Sequence, residues 1–493
     1  MQRKFLKNLV LLLVLNLLIK PFWILGIDRT VQNTVGAAEY GFYFAIFNFS
    51  FLFNILLDFG ITNFNNKNIA QNNQLLRKHL SNILTLKLSL FLVYLLFTFG
   101  SAMVIQYSRE QLALLALLAV NQFLLSFILY LRSNLSGLHL FRTDSLVSVL
   151  DRSLMIIICG VLLWGNVVDA FKIQYFVYAQ TAGYTITLLV VFLLVLQKAR
   201  PRLFRLSWNI PFMMMIIKQS FPFAVLVLLM TFNNRIDSVM LERMLTNGDK
   251  YAGIYAMAYR LLDASNMIGY MFAVLLLPMF ARMIKNQESI EDLVKLSYTL
   301  IIVPAIIVAV GSIFYASPIM HLLYTMHPGE TAEMYQFRIE ESARVFAFLM
   351  PCFAALSTTY IFGTLLTAQG SLRRLNVIYF FSMAANIGLN ILLIPRLQAT
   401  GSAIATLFTQ SVIAIIQVLV VQSIFKFKVN YPFLTRLAIF IVATILIGIL
   451  SMELPFSWLK NMLIMGVACL GFALAIRLLN PKNLLKILGD GTG

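Results

Sequence analysis

The sequence predicts an all-α polytopic membrane protein of about 14 transmembrane helices, built as two six-helix repeats plus a C-terminal helix pair. Its 493 residues are 60% hydrophobic and only 12% charged, whereas soluble domains carry about 25% charged residues. Apolar runs of about 20 residues, long enough to cross a hydrocarbon core, recur from end to end. A short motif that occurs twice predicts the duplication.

The N-terminus and the charge fit a membrane protein. The stretch "MQRKFLKNLVLLLVLNLLIKPFWILG" has a basic start and an apolar run, but no small-x-small cleavage site follows, so we expect an uncleaved first span. The net charge of +18 would indicate nucleic-acid binding in a soluble protein. Here the basic residues lie in short loops, which favours the positive-inside rule. The cysteines, Cys159, Cys352 and Cys469, lie inside apolar runs, so we expect burial rather than disulfide bonds.

The apolar runs and the turns between them place the spans in chain order. The expected ranges are about 8–28, 40–63, 80–105, 111–131, 146–165, 173–196, 213–238, 252–280, 293–315, 342–367, 375–394, 401–422, 434–452 and 458–478.

The distribution of lysine and arginine predicts that both termini are cytoplasmic. Most basic loop residues fall in every second loop, and the positive-inside rule places these loops on the cytoplasmic side. Arg132, Arg142 and Arg152 are among these inner residues. We therefore expect a multi-pass membrane protein with an even number of spans. The longest outer loop, 316–341, is too short to form a catalytic domain, so we expect no enzyme.

The repeated motif marks equivalent corners of two halves. "VGAAEYGFY" at 35–43 and "NGDKYAGIY" at 247–255 share two glycines and a tyrosine at one constant shift. Each copy opens an even-numbered span, and the second follows six spans after the first. Glycine permits turns and close helix packing, and tyrosine suits the membrane interface. We expect repeats at 1–212 and 213–424, with the extra helix pair and a cytoplasmic tail at 425–493.

Three stretches carry a family resemblance. "GAAEYGFYFAIFNFSFLFNILLDFGITNFNNKNIA" resembles the second-helix region of polysaccharide flippases, which belong to the multidrug/oligosaccharidyl-lipid/polysaccharide exporter superfamily. "FNNRIDSVMLERMLTNGDKYAGIYAMAYRLLD" is similar to its seventh-to-eighth helix passage, and "ATGSAIATLFTQ" to its twelfth-helix opening. The resemblance implies fourteen spans in the polysaccharide and lipid II flippase branches, and typically twelve in the drug-exporting branch.

Ionisable residues inside the expected spans are candidate site residues, because a charge in a bilayer usually faces a cavity or a partner. Six lie in the outer half: Lys20, Arg235, Asp237, Arg260, Asp263 and Arg344. We expect the four basic side chains to form a cationic cavity that binds a phosphate-bearing head group. The two aspartates would orient the arginines or bind a coupling proton or cation.

A structural alternative stays open for the same residues. Arg235 would pair with Asp237, and Arg260 with Asp263, as local salt bridges. The other two basic side chains would extend to the membrane surface.

A second group of charges lies nearer the inner face, and we expect most of it to be interfacial: Asp58, Lys87, Asp144, Asp151, Lys218 and Lys295. Asp58, in "LLDFGI", is the deepest of the six and a candidate inner-gate residue. Pro21 removes a helix hydrogen bond and is a candidate gating hinge.

The resemblance implies a carrier that moves an undecaprenyl-pyrophosphate-linked oligosaccharide to the outer leaflet by alternating access, with the last two helices as a groove for the lipid tail. Lipid-linked oligosaccharide, membrane lipid and polysaccharide assembly proteins would be its partners, and no nucleic acid, cofactor or metal is expected. One alternative is an antiporter of cationic drugs on the same fold, which the basic excess inside the spans disfavours. Another is a membrane polysaccharide polymerase or lipid-linked glycosyltransferase, which usually needs catalytic groups on a large outer loop.

Overall fold

The computed structural model describes residues 15–16, 18–19, 21–62, 65–66, 69, 72, 74–138, 140–199 and 208–479. Within these residues the secondary structure is helical, without a strand. The expected all-α polytopic class is therefore confirmed. The chain forms two compact units, Met1–Ala256 and Met257–Gly493.

The first unit begins with a π-helical segment, Trp23–Asp28, and also holds a short 3₁₀ turn, Asn54–Leu57. Its α-helices are α1 (Arg29–Leu52), α2 (Leu75–Val104), α3 (Arg109–Gly137), α4 (Phe141–Trp164), α5 (Ile173–Ala199) and α6 (Ile210–Met244). Helix α7 (Gly248–Lys285) begins in the first unit and continues into the second.

The remaining helices belong to the second unit. They are α8 (Glu291–Phe314), α9 (Ala316–Leu323), α10 (Ala332–Leu349), α11 (Cys352–Ala368), α12 (Leu372–Phe425), α13 (Tyr431–Met452) and α14 (Trp458–Ala475). The limits that we expected for the repeats and the helix pair concern duplication rather than packing, and they stay a prediction.

The chain reverses within α1. Gly36 has a φ of +81° and a ψ of 168°, a conformation that favours glycine. Tyr40 Oη lies 2.9 Å from Asp28 Oδ1, although a straight helix would separate these residues by about 18 Å. The described segments before and after Gly36 are therefore antiparallel.

Helix α12 contains a second reversal. Gln398 has a φ of +52° and a ψ of −130°. Asn386 Nδ2 lies 3.5 Å from Thr409 Oγ1, residues that a straight helix would hold about 35 Å apart. The expected spans at 375–394 and 401–422 are thus an antiparallel pair.

These reversals show how the expected spans correspond to the helices of the structure. Eleven helices of the described residues are long and apolar enough to span a membrane, and one of them is the folded α12. The first two expected spans are not among the eleven; part of the first lies outside the described residues, and the second lies in the more polar α1. Each of the other expected spans corresponds to one of these helices, with α10 and α11 forming the tenth.

Two expected boundaries were wrong. The second expected span, 40–63, does not continue as regular helix; α1 ends at Leu52, and Phe59 and Gly60 have positive φ after the 3₁₀ turn. The expected loop 316–341 is largely helical, since it contains α9 and the first ten residues of α10. Its charges are met by local pairing, which hydropathy does not detect.

The repeated motif lies at a close helix crossing. A methyl carbon added to Gly41 would lie 1.8 Å from the carbonyl oxygen of Asp249, and one added to Gly253 would lie 1.9 Å from that of Ala37. Both distances are far inside van der Waals contact, so α1 and the beginning of α7 touch through their backbones. The shared pair Gly41 and Gly253 is therefore explained by packing.

The shared tyrosines, which we expected to suit the membrane interface, are buried within the protein. Tyr43 and Tyr255 are each 1% exposed. Tyr43 Oη accepts a hydrogen bond from Gln180 Nε2 at 2.9 Å, and Tyr255 Oη donates one to Asp237. Burial of a phenol requires such a partner for its hydroxyl group.

Both units have an apolar interior and an apolar exterior. In the second unit, Phe440 of α13 and Met465 of α14 are buried in one cluster with residues of α8. Other apolar side chains of the pair are exposed, such as Leu446 and Val467, as expected for lipid-facing helices. The three cysteines are free and buried, as expected.

Candidate functional site

The candidate hinge lies beside an irregular helical turn. Pro21 is helical, and the π-helical segment Trp23–Asp28 follows almost at once. A π-turn inserts a residue into the helix and is common at functional sites. Lys20, the first of the expected cavity cations, lies outside the described residues. The role of Pro21 as a hinge stays a prediction.

The π-helical segment ends at a buried carboxylate that the sequence analysis missed. Asp28 is 1% exposed. Tyr40 Oη lies 2.9 Å from each of its carboxylate oxygens, and Gln32 Nε2 lies 3.5 Å away. Asp28 escaped notice because we ended the first span there, which made it look like an interfacial residue. The helix in fact continues past Asp28 to Gly36, and a longer first span would have identified Asp28 as an intramembrane charge.

A second carboxylate–tyrosine pair joins α6 and α7. Asp237 is 1% exposed and accepts a hydrogen bond from Tyr255 Oη at 3.0 Å. The neighbouring Ser238 Oγ accepts one from Asn48 Nδ2 of α1 at 2.8 Å. Asp28 and Asp237 thus each bind a tyrosine that follows a chain reversal.

Arg235 lies on α6 about 14 Å before the helix ends, at 1.5 Å per residue. Its Nη1 is 3.4 Å from Asn48 Oδ1, and its guanidinium carbon is 5.4 Å from the centre of the Phe51 ring. The side chain therefore lies against α1, the helix that also carries Gly41.

Asp58 forms a buried ion pair across three elements. Lys87 of α2, which is 1% exposed, places its Nζ 2.5 Å from Asp58 Oδ1. The same ammonium donates to the carbonyl oxygen of Leu57 at 3.0 Å and contacts Ser126 Oγ of α3 at 2.9 Å. Lys87 belongs to the group of charges that we expected to be mostly interfacial, and its side chain is enclosed by protein. The Lys87 ammonium connects the irregular segment after α1, which carries Leu57 and Asp58, to α2 and α3.

Arg152 is not in an inner loop, where we had placed it. It lies on α4, eleven positions after Phe141, which is about 17 Å along the helix. Its guanidinium carbon is 5.5 Å from the Trp23 ring centre and 5.8 Å from that of Tyr184. The sequence could have shown this, since Arg152 already fell inside the expected span 146–165.

In the second unit, two of the expected residues form a local pair. Arg260 Nη1 lies 3.7 Å from Asp263 Oδ2 on α7, and both side chains are largely buried. Arg344 is different, because its side chain is 59% exposed and lies 3.4 Å from Glu341 Oε2. Glu341 also accepts hydrogen bonds from the backbone N–H and the hydroxyl of Thr400.

A further buried arginine stabilises the segment that we had expected to be a loop. Arg338 binds Glu330 through two nitrogens, each at 2.8 Å, and donates to the carbonyl oxygen of Thr325 at 2.9 Å. Tyr335 Oη donates to the backbone of Tyr324 next to it. This geometry is that of a structural clamp that fixes the start of α10.

Charged and hydrogen-bonding side chains inside a polytopic helical fold usually mark a ligand site or a pathway through the protein. The family profile described as "Polysaccharide biosynthesis protein" matches residues 5–284, more than half of the chain. The chain belongs to this family, and its fold is that of flippase-type transporters. No curated protein matches the sequence.

Solved structures show the same fold at low sequence identity. A lipid II flippase MurJ in an inward closed conformation matches with a TM-score of 0.72 and 15% identity, covering 95% of this chain and 99% of the other. A multidrug resistance MATE family transporter in an inward-facing conformation matches with a TM-score of 0.59 and 15% identity, covering 83% and 93%. A MOP superfamily transporter from Pyrococcus furiosus matches with a TM-score of 0.58 and 15% identity, covering 84% of this chain and 94% of the other.

Proposed function

We propose that the protein is a flippase that moves an undecaprenyl-pyrophosphate-linked oligosaccharide from the cytoplasmic to the outer leaflet of a bacterial inner membrane. It would supply lipid-linked units, such as those of O-antigen and lipopolysaccharide, to cell-surface polysaccharide assembly. Both termini would be cytoplasmic. Lipid-linked oligosaccharide and membrane lipid would be its ligands, and polysaccharide assembly proteins its partners.

The observation that carries this proposal is the presence of arginines deep in the spans of a chain from a polysaccharide biosynthesis family. Arg235 lies well inside α6, and Arg260 lies about 18 Å from the beginning of α7. A charge at such depth is expensive and usually serves a ligand or a pathway. Arginine suits a pyrophosphate because its planar fork binds phosphate oxygens and stays protonated.

The expected residues take these roles in an alternating-access cycle. Lys20, Arg235, Arg260 and Arg344 would bind the anionic head group. Asp237 and Asp263 would orient arginines or bind a coupling proton or cation. The Asp58 ion pair would close the inner side, and the helix would bend at Pro21. The lipid tail would lie along α13 and α14, whose apolar faces are exposed.

The experiment is deletion of the gene, followed by extraction of lipid-linked oligosaccharide and assay of surface glycan in the same cells. We expect loss of surface glycan and accumulation of complete lipid-linked units at the inner leaflet. Arg260→Ala should reproduce the defect while the protein still inserts, and Arg142→Gln, which removes an exposed charge of α4, should not. Normal surface glycan in the deletion strain would refute the proposal.

The buried carboxylates favour one competing function. Asp28 and Asp237 lie inside the first unit, and a buried carboxylate is a suitable site for a proton or a cationic compound. A cation antiporter would use them for exchange. Normal surface glycan together with raised sensitivity of the deletion strain to cationic dyes would support this second function. Single units on the outer leaflet without polymer would indicate a polymerase.

A further inference from the structure

We infer that Arg152 is a further substrate-binding residue, which binds the phosphate groups of the lipid carrier from within the first unit. The inference rests on the proposed flippase function and extends it to a residue outside the expected cavity set. Four observations carry it: the depth of the side chain, its weak neutralisation, its aromatic surroundings and its contact with the first span.

Arg152 lies near the middle of helix α4. Helix α4 has 24 residues, or about 36 Å, and Arg152 is about 17 Å from its beginning. The hydrocarbon core of a bilayer is about 30 Å thick. An arginine at such a position inside a membrane helix is costly unless a ligand or a partner compensates its charge.

The described acidic neighbour compensates this charge only weakly. Asp151 Oδ2 lies 3.9 Å from Arg152 Nε, whereas charge-assisted hydrogen bonds are about 2.7–2.9 Å long. Arg132, whose Nε lies 2.8 Å from Asp144 Oδ1, shows what a close ion pair looks like in the same unit. The Arg152 side chain also remains 25% exposed, so part of it is accessible to a ligand.

Aromatic rings hold the guanidinium without neutralising it. Trp23 presents its ring to Arg152, and Tyr184 contacts it with its ring and accepts a hydrogen bond from it. Neither a ring nor a phenol hydroxyl removes the positive charge. Trp23 is in turn fixed by Phe176, with the ring centres 5.5 Å apart and the planes at 6°. The result is a positioned cation in a low-dielectric environment, where an anion is attracted more strongly than in water.

The same residue contacts the candidate hinge. Trp23 is the first residue of the π-helical segment, two positions after Pro21. A change in that segment would move one of the two rings that hold Arg152. Binding of phosphate at Arg152 would therefore favour one arrangement of the first span over another, which is how a ligand shifts a conformational equilibrium.

The test compares binding of undecaprenyl pyrophosphate to purified full-length protein in nanodiscs, with undecaprenol as the uncharged lipid. The variants are Arg152→Gln, Arg152→Lys and the control Arg142→Gln, which removes an exposed charge near the start of the same helix. We expect at least about tenfold weaker binding for Arg152→Gln, which corresponds to about 1.4 kcal/mol. Arg152→Lys should be intermediate because it keeps the charge but loses the fork, and Arg142→Gln should bind normally.

The outcomes separate this inference from the proposed function. A wild-type protein that binds the two lipids equally would remove the flippase proposal itself. A wild-type protein that prefers the pyrophosphate, with Arg152→Gln binding equally well, would show that Arg152 is only a structural brace. If Arg152→Gln does not fold, as judged by size-exclusion profile and melting temperature, Arg152→Lys decides the question, and wild-type affinity of that variant overturns the inference.

Discussion

At the scale of single residues, charges inside the spans meet three kinds of partner. Asp28 and Asp237 accept hydrogen bonds from tyrosines, Asp58 pairs with a lysine, and Arg152 lies between aromatic rings. These partners have different consequences for a substitution. Removal of a counter-ion leaves a buried charge, whereas removal of a hydroxyl group leaves only an unfilled acceptor.

We expect Asp58→Asn to destabilise the protein by on the order of 3 kcal/mol, because Lys87 would stay buried without its counter-ion. The double variant Asp58→Asn with Lys87→Met should recover much of this loss. Melting temperature in lipid nanodiscs measures both effects. Additive losses in the double variant would show that the pair is not coupled.

We expect Tyr255→Phe to destabilise the protein by about 1.5 kcal/mol, since it removes one hydrogen bond to a buried carboxylate. Tyr40→Phe should act in the same direction through Asp28. The matched control is Tyr431→Phe, because Tyr431 is 71% exposed. Equal melting temperatures for all three variants would contradict the assignment of these hydrogen bonds.

The sequence predicted pairs that are close along the helix better than pairs that are distant. Arg260 and Asp263 are three positions apart, and helical geometry brings them together as expected. Asp28 and Tyr40 meet only because the chain turns at Gly36, and Lys87 reaches Asp58 only because α2 packs on the 3₁₀ turn. Such contacts depend on tertiary packing, which cannot be read from a single sequence.

At the scale of elements, the positions of the spans were predictable, but their breaks were not. Hydropathy reports the average polarity of a window, so it located all the helices that are long and apolar. It passed through Asp58, Phe59 and Gly60, where the backbone leaves the helix. It also assigned the charged beginning of α10 to a loop, since it could not detect that Arg338 and Glu330 neutralise each other.

The close crossing of α1 and α7 provides a test at this scale. We expect Gly253→Ala to separate the two helices and destabilise the protein by about 3 kcal/mol or more, because backbone atoms cannot move aside as a side chain can. The control is Gly388→Ala in α12, where an added methyl meets nothing within 4 Å and should stabilise the helix slightly. Similar melting temperatures for the two variants would contradict the crossing.

The reversal at Gln398 provides a second test at the scale of elements. Its positive φ with negative ψ suits glycine much better than a residue with a side chain. We therefore expect Gln398→Gly to raise the melting temperature and Gln398→Val to lower it. The opposite order of the two variants would mean that the chain does not turn at this residue.

At the scale of the whole molecule, the duplicated motif predicted a structural relation between distant parts of the chain. Gly41 and Gly253 meet in space, although 211 residues lie between them in the sequence. Direct contact between the two copies was not expected; we had predicted equivalent corners. The substrate was the feature that the sequence predicted least well, because a cationic site is compatible with many anions.

The proposed transport also has an electrostatic consequence. An inside-negative potential of about 100 mV favours outward movement of a doubly negative head group by roughly 4–5 kcal/mol. In proteoliposomes, an imposed potassium-diffusion potential should therefore shift the distribution of undecaprenyl pyrophosphate between leaflets by about three orders of magnitude. A distribution that does not respond to the potential would indicate an electroneutral, ion-coupled cycle.

The reversal within α12 has a consequence for how the protein enters the membrane. As one straight helix, its 54 residues would extend about 80 Å, far beyond the thickness of any bilayer. With both termini cytoplasmic, as we propose, the turn between Pro395 and Gly401 would cross the membrane during synthesis together with the charge of Arg396. The two halves would then lie in the membrane as a helical hairpin closed by this turn.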